Sequence, residues 1–255
     1  RPLPSRIPTP GENRMEPDAA LLEYVAACER ILWQPAGRKV LDYLVNERAL
    51  APEALRTNRV GADPGPSVLR RAAGLPRGGT AAVLPALDLD GKVRYAQARY
   101  LEPVDGRPKY DNPAGRLAAN PRLAWVNPAI LLDRRHLVVC EGALDALTVA
   151  GKGMPAVAVL GATYVDERVA RDVARGAAGR QVLLAFDGDP AGRNAGETLA
   201  ASLTSAGCPN RGLPLPDGCD VNTVLGTDDR WIARQLEPTP TRHNVGQHDL
   251  ARTLR

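Results

Sequence analysis

The chain has 255 residues, enough for one large domain or two modest ones with a buried core. Apolar residues make up 44 % and the formal net charge is +4, which suits a soluble protein and allows a polyanionic partner without requiring one. Apolar runs such as "AAVLPAL" and "AVAVLGA" fall far short of the roughly 18 residues of a membrane span, and the chain opens on no charged–apolar–small signal pattern. A cytoplasmic protein with no membrane partner is expected. The four cysteines, Cys28, Cys140, Cys208 and Cys219, form no C-x-x-C pair, which argues against a structural zinc site and for reduced thiols. Only four of the 33 basic residues are lysines, so a lysine at a motif position stands out.

In chain order, "RPLPSRIPTPGENR" carries four prolines without apolar periodicity, and residues 1–15 read as a disordered tail. The spacing of Leu21, Leu22, Val25, Ala26 and Ile31 predicts a helix over 16–33, and a second follows over 36–47. A short helix and an exit at Gly61 come next, then a Gly-, Pro- and Arg-rich loop over 62–79. "TAAVLPALDLDGKVRYAQARYLEP" reads as a β-hairpin turning at Asp90-Gly91. Residues 102–128 read as mostly irregular backbone carrying Arg107, Lys109 and Arg116.

The texture changes after residue 133. "HLVVC", "AVAVL" and "QVLLAF" read as short buried strands, each followed by a helical segment, and "GLPLP" as a last short strand. Alternating strands and helices imply right-handed βαβ units and a parallel sheet. The final residues, about 238–255, are polar.

Ligands of an open parallel sheet bind outside the carboxyl ends of its strands. Glu141-Gly142 follows "HLVVC", Asp187-Gly188-Asp189 follows "QVLLAF", and Asp217 and Asp220 follow the last expected strand. Neighbouring strands would bring Glu141, Asp187, Asp189 and Asp220 to one edge. Carboxylates gathered without a cation repel one another and are driven towards protonation. A hard divalent cation removes that conflict, and metal-assisted phosphoryl transfer is the chemistry expected there. "DGDPAG" could also open a calcium loop, but Ala191 and Thr198 stand where an oxygen ligand and a glutamate are needed.

In that order, "VVCEGALDALTVAGKG", "AVAVLGATY", "LLAFDGDPAGRNAGE" and "LPDGCDVN" resemble a Toprim domain, the metal-binding fold shared by bacterial-type primases, topoisomerases and some nucleases. Upstream, "VLDYLVNERALAPEALRTNRVG", the hairpin ending in Arg99, and "RPKYDNP" are similar to the catalytic core of bacterial DNA primases. The resemblance implies an α/β chain: a Toprim domain (Rossmann-like parallel sheet with flanking helices) over 133–225, preceded by a smaller α+β primase subdomain over 16–132 and followed by a C-terminal helix and mobile tail over 226–255.

It also implies residue roles. Glu141, Asp187 and Asp189 would be catalytic, and the same three with Asp220 would hold one or two Mg²⁺ or Mn²⁺ ions; alternatively Glu141 is the general base on an attacking 3′-hydroxyl. Gly142, Gly188 and Asp145 would support them. Arg99, Lys109, Asn112 and Arg193 would bind nucleotide or template. The implied partners are single-stranded DNA, ribonucleoside triphosphates and a replicative helicase; the implied reaction is templated synthesis of short RNA primers. A Toprim nuclease and a non-catalytic DNA-binding replication accessory protein are the alternatives. The chain departs from the family pattern after "PKYDNP", where Arg122 is the sole basic candidate for an expected lysine-bearing stretch, and it shows neither a zinc-ribbon pattern nor a G-x-x-x-x-G-K-[ST] loop. It reads as a bare primase core of the phage or mobile-element kind, or as the core of a longer protein.

Overall fold

The computed structural model describes residues 16–103, 106, 108–126, 136–161 and 165–236. The tail expected over 1–15, the boundary expected at 132/133, Arg107 and the polar stretch after 237 lie outside those residues. The first helix, α1 (Ala19–Leu32), begins where Asp18 accepts a hydrogen bond from the Ala20 N–H at 2.8 Å. Its buried residues Leu21, Tyr24, Val25, Cys28 and Leu32 recur at helical spacing and face the sheet. The second expected helix is not uniform. It opens as a 3₁₀ turn (Pro35–Gly37), continues as α2 (Arg38–Asp42), and widens into a π turn (Tyr43–Glu47) that ends at Arg48. Helix α3 (Pro52–Thr57) follows.

Nine strands among the described residues form one sheet: β1 (Gly61–Asp63), β2 (Ala81–Leu87), β3 (Val93–Tyr100), β4 (Tyr110–Asp111), β5 (Leu123–Val126), β6 (Leu137–Cys140), β7 (Ala156–Val159), β8 (Val182–Ala185) and β9 (Asn210–Gly212). Their order is β4-β3-β2-β5-β7-β6-β8-β9, with β1 on β2. Strands β6 to β9 are mutually parallel, while β1 to β5 pair antiparallel. The two halves of the chain therefore share one sheet, joined where β5 lies between β2 and β7.

The helices of the second half are α4 (Ala143–Gly151), α5 (Glu167–Ala177), α6 (Pro190–Ser205), α7 (Val221–Thr227) and α8 (Trp231–Leu236). Alternate strand residues enter two separate cores. Val138, Cys140, Leu183 and Ala185 join the core that holds α1, α4 and α7, whereas Leu137, Val139, Val182 and Leu184 join that of α5 and α6. None of these helices is long and apolar enough to cross a membrane. All four cysteines are free.

Three expectations are corrected. Residues 102–128, expected to be mostly irregular, also contain β4 and the central strand β5, which were not anticipated. All four β5 residues are buried, so the strand has no alternation, and four apolar residues are too few to stand out. The last strand forms at Asn210–Gly212 rather than in "GLPLP", where two prolines lack the N–H a ladder needs. The loop expected from residue 62 starts only after β1.

That loop is fixed by a buried ion pair. The Arg71 guanidinium donates to both oxygens of Asp63, at 2.8 Å for Nη2 to Oδ1, and also to the Leu69 and Pro76 carbonyls. The Tyr24 hydroxyl donates to Asp63 Oδ2 at 2.8 Å, and the Gly65 N–H to Oδ1 at 2.8 Å. Asp63 and Arg71 are 1 % and 3 % exposed, so the pair survives burial only because these further bonds satisfy it.

Candidate active site

Strands β6 and β8 are parallel neighbours in register, Cys140 opposite Ala185, so the residues leaving them emerge side by side. Glu141 follows β6 directly. Phe186, still in the core, follows β8, and Asp187 comes next. The turn then runs straight into α6. Asp189 caps that helix, accepting from the Gly192 N–H at 2.7 Å, and Pro190 fits the first helical position. Asp220 caps α7 in the same way, accepting from the Thr223 N–H at 2.7 Å.

Two glycines let the backbones meet. A Cβ on Gly188 would lie 2.0 Å from the Pro216 carbonyl oxygen, and the two loops are laced there by Gly188 N–H to Cys219 O at 2.8 Å and Gly218 N–H to Gly188 O at 2.9 Å. A Cβ on Gly192 would lie 2.4 Å from the Asp187 carbonyl oxygen and 2.9 Å from Glu141 Oε2. Any side chain at either position would push the acids apart. A pocket of about 200 Å³ results, lined by Asp187, Gly188, Asp189, Cys219, Asp220 and Thr223 among others.

The carboxylates feel one another. Burial, then the charges of Asp187 and Asp189, push the Glu141 carboxyl above its ordinary range. Burial, then Asp220 and Asp189, do the same to Asp187, against the pull of Arg48. Asp145 on α4 is nine-tenths buried, and burial with the charge of Asp220 raises it to about 7, although the Asn222 N–H donates to it at 3.0 Å. Asp220 goes the other way: burial works to raise it, but its bonds from Thr223 and Arg48 outweigh that and hold it low. Two buried oxygens, Glu141 Oε2 and Asp187 Oδ1, accept no hydrogen bond. Orphaned acceptors among like charges are the donor set a hard divalent cation satisfies, so the residues fit one. Among the described residues no three His, Cys, Asp or Glu side chains close into a ready ligand set.

Basic residues from the first half face this centre. Arg48 Nη2 lies 3.2 Å from Asp220 Oδ2, and its Nε is buried without a partner. Arg99 on β3 is buried, donates from Nε to the Tyr43 hydroxyl at 2.7 Å, and lies 5.5 Å from the ring centres of both Tyr43 and Tyr110. Partial burial and the charges of Arg99 and Arg48 hold the Lys109 ammonium below its usual range, and Asp220 opposes them. Acids and cations thus form adjoining rows.

A Toprim-like family model matches residues 138–225. The gene 57 protein of Mycobacterium phage D29 is 33 % identical over 130 residues, covering 51 % of this chain and 78 % of that protein. The chain belongs to the same family as this phage protein and carries a Toprim-like domain. A solved DnaG catalytic core superposes with a TM-score of 0.69 at 24 % identity, covering 85 % of this chain and 78 % of the other. A DnaG primase catalytic domain solved with bound single-stranded DNA gives 0.68 at 24 %, covering 84 % and 78 %. At these identities the likeness establishes the fold: a Toprim domain within a primase-core architecture.

The remaining expected residues come from both halves of the chain. Gly142 precedes α4, where a Cβ would meet Asp145 Oδ2 at 2.8 Å. Arg193, on α6, donates to the Gly188 carbonyl and to Asp217 Oδ1, both at 2.9 Å, and so braces the turn between β8 and α6. Asn112 is exposed beyond β4 and accepts from Gln97 at 3.1 Å; no bond joins it to the acids. Arg122 pairs with Asp166, the cap of α5. Arg48, Tyr43 and Asn222 were not singled out from the sequence. Arg48 is one of many arginines, and nothing local marks it. Asn222 lies two residues after Asp220 in "CDVN", the only available signal.

Proposed function

We propose that this Toprim protein is a DNA primase-like enzyme, joining ribonucleoside triphosphates into short RNA primers on single-stranded DNA. The observation that carries the reading is the set of orphaned acid oxygens on Glu141 and Asp187 beside Asp220, which pairs with Arg48 and attracts Lys109, in a primase-core fold.

Asp187, Asp189 and Asp220 are the residues that would hold Mg²⁺ or Mn²⁺, with Glu141 either completing the set or acting as base. When bound, the ion would neutralise charge at the triphosphate and acidify a hydroxyl near it. The protein does the rest. Arg48, with an unpartnered Nε, and Lys109 are placed to receive triphosphate or template phosphates. Arg99 is buried beside the Tyr43 and Tyr110 rings and adds positive charge to the site from behind them. As base, the Glu141 carboxylate would take the proton of the primer 3′-hydroxyl. The 3′-oxygen then bonds to the α-phosphorus, the bond to the β-phosphate oxygen breaks, and pyrophosphate leaves. A carboxyl pushed up by burial is a stronger base than an ordinary glutamate.

The test is incubation with single-stranded DNA, labelled ribonucleotides and Mg²⁺ or Mn²⁺. New short RNA is expected. Cut template without new RNA would identify a nuclease, and a mobility shift alone a binding module. Template binding should weaken with salt, because its contacts are to phosphates.

A further inference from the structure

The Asn222 side chain bonds the first half of the chain to the Toprim helices. It is 7 % exposed, on the first turn of α7. Its Nδ2 donates to the Arg48 carbonyl at 2.6 Å and to Thr148 Oγ1 at 2.7 Å. The Thr148 hydroxyl donates to the Leu144 carbonyl at 2.9 Å, so its oxygen faces Asn222 as an acceptor. Both acceptors require the amide nitrogen, which fixes the orientation of the side chain. Two residues earlier, Asp220 holds the Arg48 guanidinium. The start of α7 thus grips Arg48 at its carbonyl and at its head.

We infer that Asn222 is a positioning residue: by holding the Arg48 backbone to the Toprim helices it sets where the Arg48 guanidinium meets an incoming triphosphate. This rests on the nucleotidyl-transfer reading above. Arg48 follows a π turn and precedes Ala49, which has a left-handed φ of 51°. Its carbonyl has no helical neighbour to fix it, and Asn222 supplies that bond. Loss of the Nδ2 bonds frees the Arg48 segment while the Asn222 backbone N–H still reaches Asp145. The consequence falls on the phosphate end of the site rather than on the acids.

The experiment is a double-mutant cycle of Asn222→Ala and Arg48→Ala, with primer synthesis and binding of fluorescent ATP as readouts and thermal unfolding as the control. N222A in the wild-type background should lower kcat/KM for the triphosphate about tenfold and weaken ATP binding in parallel, whereas in the R48A background it should change either by less than about twofold. Asn222→Ser, which keeps a donor but shortens its reach, should fall between, and serves if N222A does not fold. Equal losses in both backgrounds, or none in either, would overturn the inference. If wild type makes no primers but binds ATP with the same coupling, the primase reading falls and the inference stands. If it binds no ATP, both fall.

Discussion

Arg48 and Asp220 are 172 positions apart, yet Arg48 Nη2 lies 3.2 Å from Asp220 Oδ2, and this pair ties the helical first half to the acidic edge of the Toprim sheet. Its side chains are 21 % and 28 % exposed, so the pair is only partly screened. Arg48 also lowers the Asp187 carboxyl. Arg48→Ala should therefore raise the pH at which Asp187 ionises. The pH at which Mn²⁺ begins to raise the melting temperature should move upward with it. Measuring that Mn²⁺ shift from pH 4 to 8 in both proteins checks this; superimposable curves would contradict it.

Glu141 has two candidate roles, and Glu141→Gln separates them. A base is lost while the aspartates still bind metal: turnover should fall by about 10²-fold or more, with the Mn²⁺-induced thermal shift retained. Were Glu141 an indispensable ligand, the thermal shift would disappear as well. Thermal unfolding with and without Mn²⁺ distinguishes the two without any assay of activity.

Asp145 carries a stability cost. Its folded carboxyl titrates at about 7, whereas an unfolded aspartate titrates near 3.9. Below about pH 4 the proton is held in both states and there is no penalty. Between pH 4 and 7 the unfolded chain releases it first, and the folded protein loses stability until the penalty levels off above pH 7. Asp145→Asn keeps an oxygen for the Asn222 N–H. In metal-free protein it should gain on the order of 2–4 kcal/mol at pH 8 and almost nothing at pH 4, read by urea unfolding. A gain of equal size at both pH values would refute the titration argument.

Arg71→Ala leaves the Asp63 carboxylate buried beside Tyr24 with no cation. Removing one partner of a buried pair costs about 3–5 kcal/mol. Urea unfolding should show a loss of that order. A loss below about 1 kcal/mol would mean that the loop relaxes and admits water.

What was legible in the sequence follows how local each signal is. Glu141 and Asp187 were readable because each follows directly on a short apolar strand, and adjacent parallel strands put them side by side without further information. The hairpin was readable from Asp90-Gly91, where Gly91 takes a φ of 77°. Strand β5 was not: "LAWV" between two Asn-Pro pairs has no alternation, and its place in the sheet is fixed only by contact with β2 and β7. Arg48 and Asn222 were hidden for the same reason. Their roles exist only once α7 packs against the end of the π turn, and neither residue type nor spacing announces that meeting.

The central claim is that the acids of the β6 and β8 edge make phosphodiester bonds with a bound divalent cation. The most direct measurement is dinucleotide and primer formation from ribonucleoside triphosphates on single-stranded DNA, with Mg²⁺ or Mn²⁺, comparing wild type with the Asp187→Asn, Asp189→Asn double variant. The account predicts new RNA from wild type, no product from the double variant, and a variant that still melts cooperatively. Primer synthesis that survives both substitutions would contradict it.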